Sequence, residues 1–180
     1  MGAQVTLAFR WQGAFSSRDR LARALVTAGL QRSTPDVAAD GSSESSWSLS
    51  LRSAELAVTC RCYDEQTETS VALDVDEAAF ERVGADVGRA ELVSRFVSLA
   101  ASLVNDLQLR YVFFDEEAEA DVDSGAYRAD VLFGITLIAP DVQGVDAARQ
   151  RPDVARSEIR DGVVVLYRRL DPVPHYQPNS

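Results

Sequence analysis

The sequence predicts an α+β fold, a two-layer sandwich in which a mostly antiparallel sheet carries helices on one face. Three observations lead there. Several short runs alternate apolar and polar residues with a period of two, the mark of half-buried strands. Those runs come in groups, and are not separated one from the next by helical stretches, which argues against a parallel doubly wound sheet. One stretch near Arg89 to Gln108 carries apolar residues at helical spacing over more than one stripe, so it needs a broad apolar layer to lie on.

Taken in order, Gln4 to Trp11 places Val5, Leu7, Phe9 and Trp11 on one face and Gln4, Thr6, Ala8 and Arg10 on the other, which reads as a strand. Ser16 or Ser17 then offers a helix N-cap, Asp19 sits in the first turn, and Leu21, Leu25 and Ala28 form a stripe that stops at Gly29. The segment QRSTPDVAADGSSESS reads as a mobile loop because Ser, Asp, Gly and Pro dominate it.

Three alternating runs follow: Trp47, Leu49, Leu51; Leu56, Val58, Cys60, Cys62; and Val71, Leu73, Val75. The connections RSAE and DEQTE are short enough to make an antiparallel meander. Its second face, with Ser46, Ser48, Ser50, Thr59, Arg61, Ser70 and Asp74, is expected to meet water.

After the long helix, Leu109 to Phe114 reads as a strand, and VLFGITLIA as a central strand apolar on both faces and closed by Pro140. A short helix is expected near Val145 to Gln150. Asp161-Gly162 between β-prone runs is the signal of a type I′ hairpin. The expected order is therefore β-α-β-β-β-α-β-β-(α)-β-β in a single domain over residues 1–170, with 171–180 as a Pro-rich tail.

A chain of 180 residues can bury a full core without disulfides. The net charge of −10 argues against binding to a nucleic-acid backbone, since that affinity comes from basic side chains displacing counterions. All 18 basic residues are Arg, which fits a GC-rich prokaryotic genome better than salt adaptation. Cys60 and Cys62 are expected to be reduced core thiols, because no second pair of Cys or His completes a zinc site. Reduced thiols point to the cytoplasm. The N-terminus shows no basic region followed by an apolar run, so no secretory signal is expected, and the longest apolar stretch is too short to cross a bilayer.

Chemical signatures are few. Without Lys there is no phosphate-cradling P-loop, and neither a G-x-G-x-x-G nor a G-x-S-x-G occurs. The single histidine, His175, lies in the Pro-rich tail, a poor anchor for acid–base work. The densest charge is in YVFFDEEAEADVD, where Asp115, Glu116, Glu117, Glu119, Asp121 and Asp123 follow four apolar residues. Counting from Glu119, the spacing to Asp121, Asp123 and Asp130 echoes a calcium loop, but the required Gly is displaced to Gly125 and the flanks read as strands. No metal or other cofactor is therefore expected.

The expectation is a non-enzymatic cytoplasmic binding protein whose acidic stretch engages a protein partner, a basic one. Immunity proteins and antitoxins that neutralise a basic toxin or nuclease are one concrete version, by analogy of composition alone. Arg61 and Tyr63 on the polar sheet face make a second candidate surface, as both residue types are enriched at interface hot spots. The alternatives are a metal-dependent hydrolase using the acidic cluster and a small-ligand binder with a pocket between the long helix and the sheet.

Overall fold

The computed structural model of the chain describes residues 4–12, 18–34, 37–39, 42–52, 54–65, 67–116 and 134–169. Its strands are β1 (Gln4–Gln12), β2 (Leu30–Arg32), β3 (Val37–Ala39), β4 (Ser42–Ser50), β5 (Glu55–Asp64), β6 (Glu68–Asp76), β7 (Tyr111–Glu116), β8 (Ile135–Ile138), β9 (Val154–Arg160) and β10 (Val163–Arg168). The helices are α1 (Arg18–Thr27), α2 (Glu77–Val87), α3 (Arg89–Leu107) and α4 (Val145–Arg149). No helix among the described residues is long and apolar enough to cross a membrane.

The strands form one ten-stranded sheet in the order β2-β4-β5-β6-β1-β7-β8-β10-β9, with β3 also paired to β4. Every described pairing is antiparallel. The α+β fold predicted from grouped alternating runs is the fold observed.

Register assigns the faces. Leu7 lies opposite Leu73, Leu73 opposite Cys60, and Phe114 opposite Leu7, so these four project from one face, here called inner. On that face Cys60 and Cys62 meet Leu21 and Leu25 of α1. Phe114 stacks on Phe96 of α3 with ring centroids 5.2 Å apart and meets Phe80 of α2 at 6.2 Å. Nearly all of the wide stripe of α3 is used: Leu92, Phe96, Val97, Leu99, Ala100, Leu103, Val104 and Leu107 are buried, and Val93 is partly so.

The outer face changes character midway across the sheet. Over β4, β5 and β6 it is polar, as the alternation predicts. Over β7, β8 and β10 it carries Phe113, Ile138, Val164 and Leu166, all buried. This is why β7 and β8 read as continuous apolar runs.

Three details go beyond the sequence reading. The Ser- and Asp-rich segment taken for a mobile loop supplies β2, β3 and the first half of β4, with β2 on Trp47–Leu49 and β3 on Ser42–Glu44 along the same edge of β4. Backbone N–H and C=O groups must be paired whatever side chains they carry, and an unoccupied strand edge offers partners that hydrophobicity does not signal. Ahead of the long helix stands α2, which no wide apolar stripe in the sequence predicts. Its stripe of Phe80, Val83 and Gly84 is narrow; tertiary contact of Phe80 with Phe96, 5.7 Å between centroids, holds it. Asp76 closes β6 and caps α2 in one residue, its Oδ1 accepting the Ala79 N–H at 2.9 Å. Of the run read as a central strand, Ile135–Ile138 forms β8 between β7 and β10, and residues 131–133 lie outside the described ones.

The β9–β10 hairpin turns at Asp161 (φ 51°) and Gly162 (φ 81°), the paired left-handed conformation that a type I′ turn requires. At the sheet edge β9 points Arg160 inward, where it donates to the hydroxyls of Ser94 (2.8 Å) and Ser98 (3.3 Å) on α3. Inward-pointing charge on an edge strand discourages another chain from adding to it.

Leu103 is fully buried beneath the sheet. Leu103→Ala should cost about 2–5 kcal/mol in urea unfolding, the range for a buried Leu truncation. A loss under about 0.5 kcal/mol, typical of surface positions, would show that α3 does not lie on the sheet as described.

Candidate functional site

The polar half of the outer face is organised around one buried carboxylate. Asp74 of β6 is only 3% exposed, although it sits at a position that the alternation assigns to water. Its burial is tolerated because both oxygens are engaged: Thr6 of β1 donates its hydroxyl to Oδ1 at 2.7 Å, and Arg61 of β5 donates Nε–H to Oδ2 at 2.6 Å. The same guanidinium reaches Gln4 Oε1 at 3.3 Å. Hydrogen bonding to Asp74 is the main cause that holds the Arg61 guanidinium above its ordinary pKa, opposed by partial burial and reinforced by the charge of Asp74, with smaller contributions from Tyr63. Arg61 is thus a fixed cation.

Register explains why these residues meet. Asp74 pairs with Thr6 on one side and Thr59 on the other, and Arg61 is the next outward residue along β5 after Thr59. Two residues further, Tyr63 projects from the same face and is 46% exposed. With Thr34, Ser42, Glu44 and Ser46, these two side chains line a groove of about 440 Å³. A row of small hydroxyls on β4 leaves room that larger side chains would fill.

Of the acidic stretch, Asp115 belongs to this same face, because its partner across the β1–β7 pairing is Thr6. Its carboxylate is half-buried and accepts the Gly134 backbone N–H at 2.7 Å. A Cβ on Gly134 would sit 3.0 Å from Asp115 Oδ1, so the bare glycine is what allows the approach. Asp115 therefore ties the start of β8 to the end of β7. Glu116 is the last residue of β7, opposite Val5. Glu117, Glu119, Asp121 and Asp123 lie outside the described residues, as do Asp130, His175 and the 171–180 tail. Among the described residues no group of three or more His, Cys, Asp or Glu side chains is placed to hold a metal.

Two sequence candidates, Arg61 and Tyr63, are therefore brought together, and Asp115 is on their face of the sheet. Asp74 was assigned to water by alternation and is instead the buried anchor, because an Arg on the neighbouring strand compensates its charge. A second polar groove escaped the sequence reading. It lies between the first half of α3 and the β9–β10 hairpin, measures about 620 Å³, and is lined by Arg89, Ser94, Arg156, Glu158, Arg160 and Tyr167 among others. Arg156 stacks over the Tyr167 ring at 4.0 Å, and the Tyr167 hydroxyl donates to Glu158 Oε1 at 2.9 Å. Burial, followed by that hydrogen bond, raises the Tyr167 pKa. The alternation of Arg156, Glu158 and Arg160 in VARSEIR was the available signal.

No family model, curated protein or solved structure matches the chain.

Removing the partner of a buried carboxylate strands it. Arg61→Met should cost about 3–5 kcal/mol in urea unfolding at neutral pH, since it leaves the Asp74 carboxylate buried with only the Thr6 hydroxyl. The double variant R61M/D74N should recover a large part of that loss. Additive effects of the two single changes would show that the pair is not coupled.

Proposed function

We propose that this chain is a binding protein that engages a basic protein partner through the polar half of its outer sheet face. The observation that carries the reading is Tyr63, half in water beside an Arg61 guanidinium already immobilised by Asp74, at the rim of a groove rich in hydroxyls. Tyr and Arg anchor many interfaces because they bring large contact area and several hydrogen-bond donors at low conformational cost. Ser and Thr around them supply adaptable polar contacts, the mixture that recurs in binding surfaces built to recognise proteins. Arg61 loses little further entropy on binding, since the fold has already ordered it.

The charge of −10 supports the choice of partner. An acidic protein attracts a basic one over distances set by ionic screening, about 10 Å at 0.1 M salt, and this raises association rates more than it deepens affinity. Inhibition of a basic toxin or nuclease, the immunity and antitoxin version of this function, fits that electrostatic requirement.

A second reading has its own observation. The groove flanked by α3 and the β9–β10 hairpin offers arginines and a tyrosine at the junction of helix and sheet, which supports a small-ligand binder for an anionic compound.

The two readings separate experimentally. A partner captured from native cells by the wild-type chain should bind the Tyr63→Ala variant at least about 30-fold more weakly in calorimetry, equivalent to a hot-spot loss of about 2 kcal/mol, with unchanged circular dichroism. Arg156→Ala should leave that affinity untouched. Equal affinity of wild type and Tyr63→Ala would remove the outer face from the interface.

The electrostatic part is checked by rate. Association with that partner should slow as salt rises from 0.05 to 0.5 M (roughly 14 to 4 Å of screening length). Replacing Glu117, Glu119, Asp121 and Asp123 by their amides should lower the on-rate and flatten its salt dependence. A rate indifferent to salt in wild type would refute steering by a basic partner.

A further inference from the structure

On the outer face, register sets the side chains of β4 and β5 in a small grid: Ser42 stands opposite Tyr63, Glu44 opposite Arg61, and Ser46 opposite Thr59. Opposite charges that face each other across an antiparallel pair ordinarily join. Here they do not. Ala72, the neighbour of Arg61 on β6, is small, and the guanidinium leans across it, where Nε holds Asp74 Oδ2 at 2.6 Å and Nη2 reaches Gln4 Oε1 at 3.3 Å. Glu44 is left exposed, with no ion pair among the described residues.

We infer that Glu44 and Tyr63 form the seat for one arginine side chain of the basic partner; the inference rests on the outer-face reading above and names a contact within it. Charge decides the sign of the occupant. Among the described residues that line the groove of about 440 Å³, Glu44 and Arg61 carry charge, and Asp74 beneath already neutralises Arg61. The groove therefore offers the Glu44 carboxylate as its uncompensated charge, and a cation is what answers it.

Arginine suits the geometry better than lysine. Tyr63 lies diagonally across the β4–β5 pair from Glu44, a spacing of roughly 7–8 Å for such neighbours, and about half of it is in water, so part of the ring is open to a planar group. A guanidinium laid on that ring gains a cation–π contact, while its parallel N–H donors meet the Glu44 carboxylate. An ammonium has neither the plane nor the fork. Ser42 and Ser46, the outward residues on either side of Glu44 along β4, are short and leave the carboxylate approachable.

The isotope-labelled full chain is titrated with N-acetyl-arginine methylamide, and the Glu44 carboxyl and Tyr63 ring signals are followed by NMR. Both should shift saturably, the lysine analogue should bind more weakly, and the uncharged citrulline analogue should shift neither. Glu44→Gln should weaken arginine binding at least about tenfold, as expected for loss of a charge-assisted pair. Asp86→Asn removes the same charge from an exposed position on α2, on the helix side of the sheet, and should leave binding unchanged. Absence of saturable shifts, lysine binding as tightly as arginine, or equal losses in the Glu44→Gln and Asp86→Asn variants would each overturn the seat. With the captured partner, Glu44→Gln should likewise weaken binding. Unchanged affinity there, with Tyr63→Ala still weakening it, would overturn the arginine seat and leave the outer face as the interface.

Discussion

The insertion of β1 between β6 and β7 is the constraint on which the rest of the sheet depends. β1 is the first strand in sequence, yet both of its partners come much later, and its pairing joins the β4–β5–β6 meander to the β7–β8–β10–β9 half. Without it there are two smaller sheets, each with an open edge. Leu7 shows what the joint achieves: it is fully buried, with Leu73 across one pairing and Phe114 across the other. Phe114 in turn meets Phe80 of α2 and Phe96 of α3, so the strand that β1 joins to the meander also carries an aromatic contact to both helices. Pairings this distant in sequence carry a loop-closure cost before they are rewarded.

The same joint explains the polar site. Thr6 of β1 reaches Asp74 of β6, and Asp74 holds Arg61 of β5, so three strands are linked by side-chain bonds on the outer face as well as by their ladders. An ion pair with a buried carboxylate contributes little net stability against a well-packed apolar replacement, because desolvation of that charge offsets the attraction. Its effect is on register. A slip of β6 by one residue would turn Asp74 into the helix-covered inner face and Leu73 outward, losing the Arg61 contact and exposing an apolar side chain. The pair therefore fixes where Arg61 stands, and with it the wall of the groove beside Tyr63.

The two halves of the sheet solve burial differently. The meander half alternates, with an apolar face under α1 and a hydroxyl-rich face outward. The other half is largely apolar on both faces through the middle of β7, β8 and β10, with charge at the strand ends and on the edge strand β9, whose Arg156, Glu158 and Arg160 lie on the helix-facing side. The two polar grooves consequently lie toward the ends of the sheet, where strands have a polar face.

The sequence by itself determined the fold class, the strands that alternate, the long helix and the Asp161-Gly162 turn, because each rests on local periodicity or on the dihedral preference of a few residues. It also marked Arg61 and Tyr63 as lying on one strand face, which a period of two makes unavoidable. It could not say that Asp74 is buried, that the Ser-rich segment pairs as an edge, or that a narrow stripe ending in Gly84 folds as α2. Each of those is decided by a neighbour distant in the chain: Arg61 and Thr6 for the carboxylate, the bare edge of β4 for the backbone groups, and Phe96 for Phe80. Periodicity records which side of an element is apolar. Only tertiary structure decides what meets that side, and a polar group is buried or left in water according to the partner that it finds there.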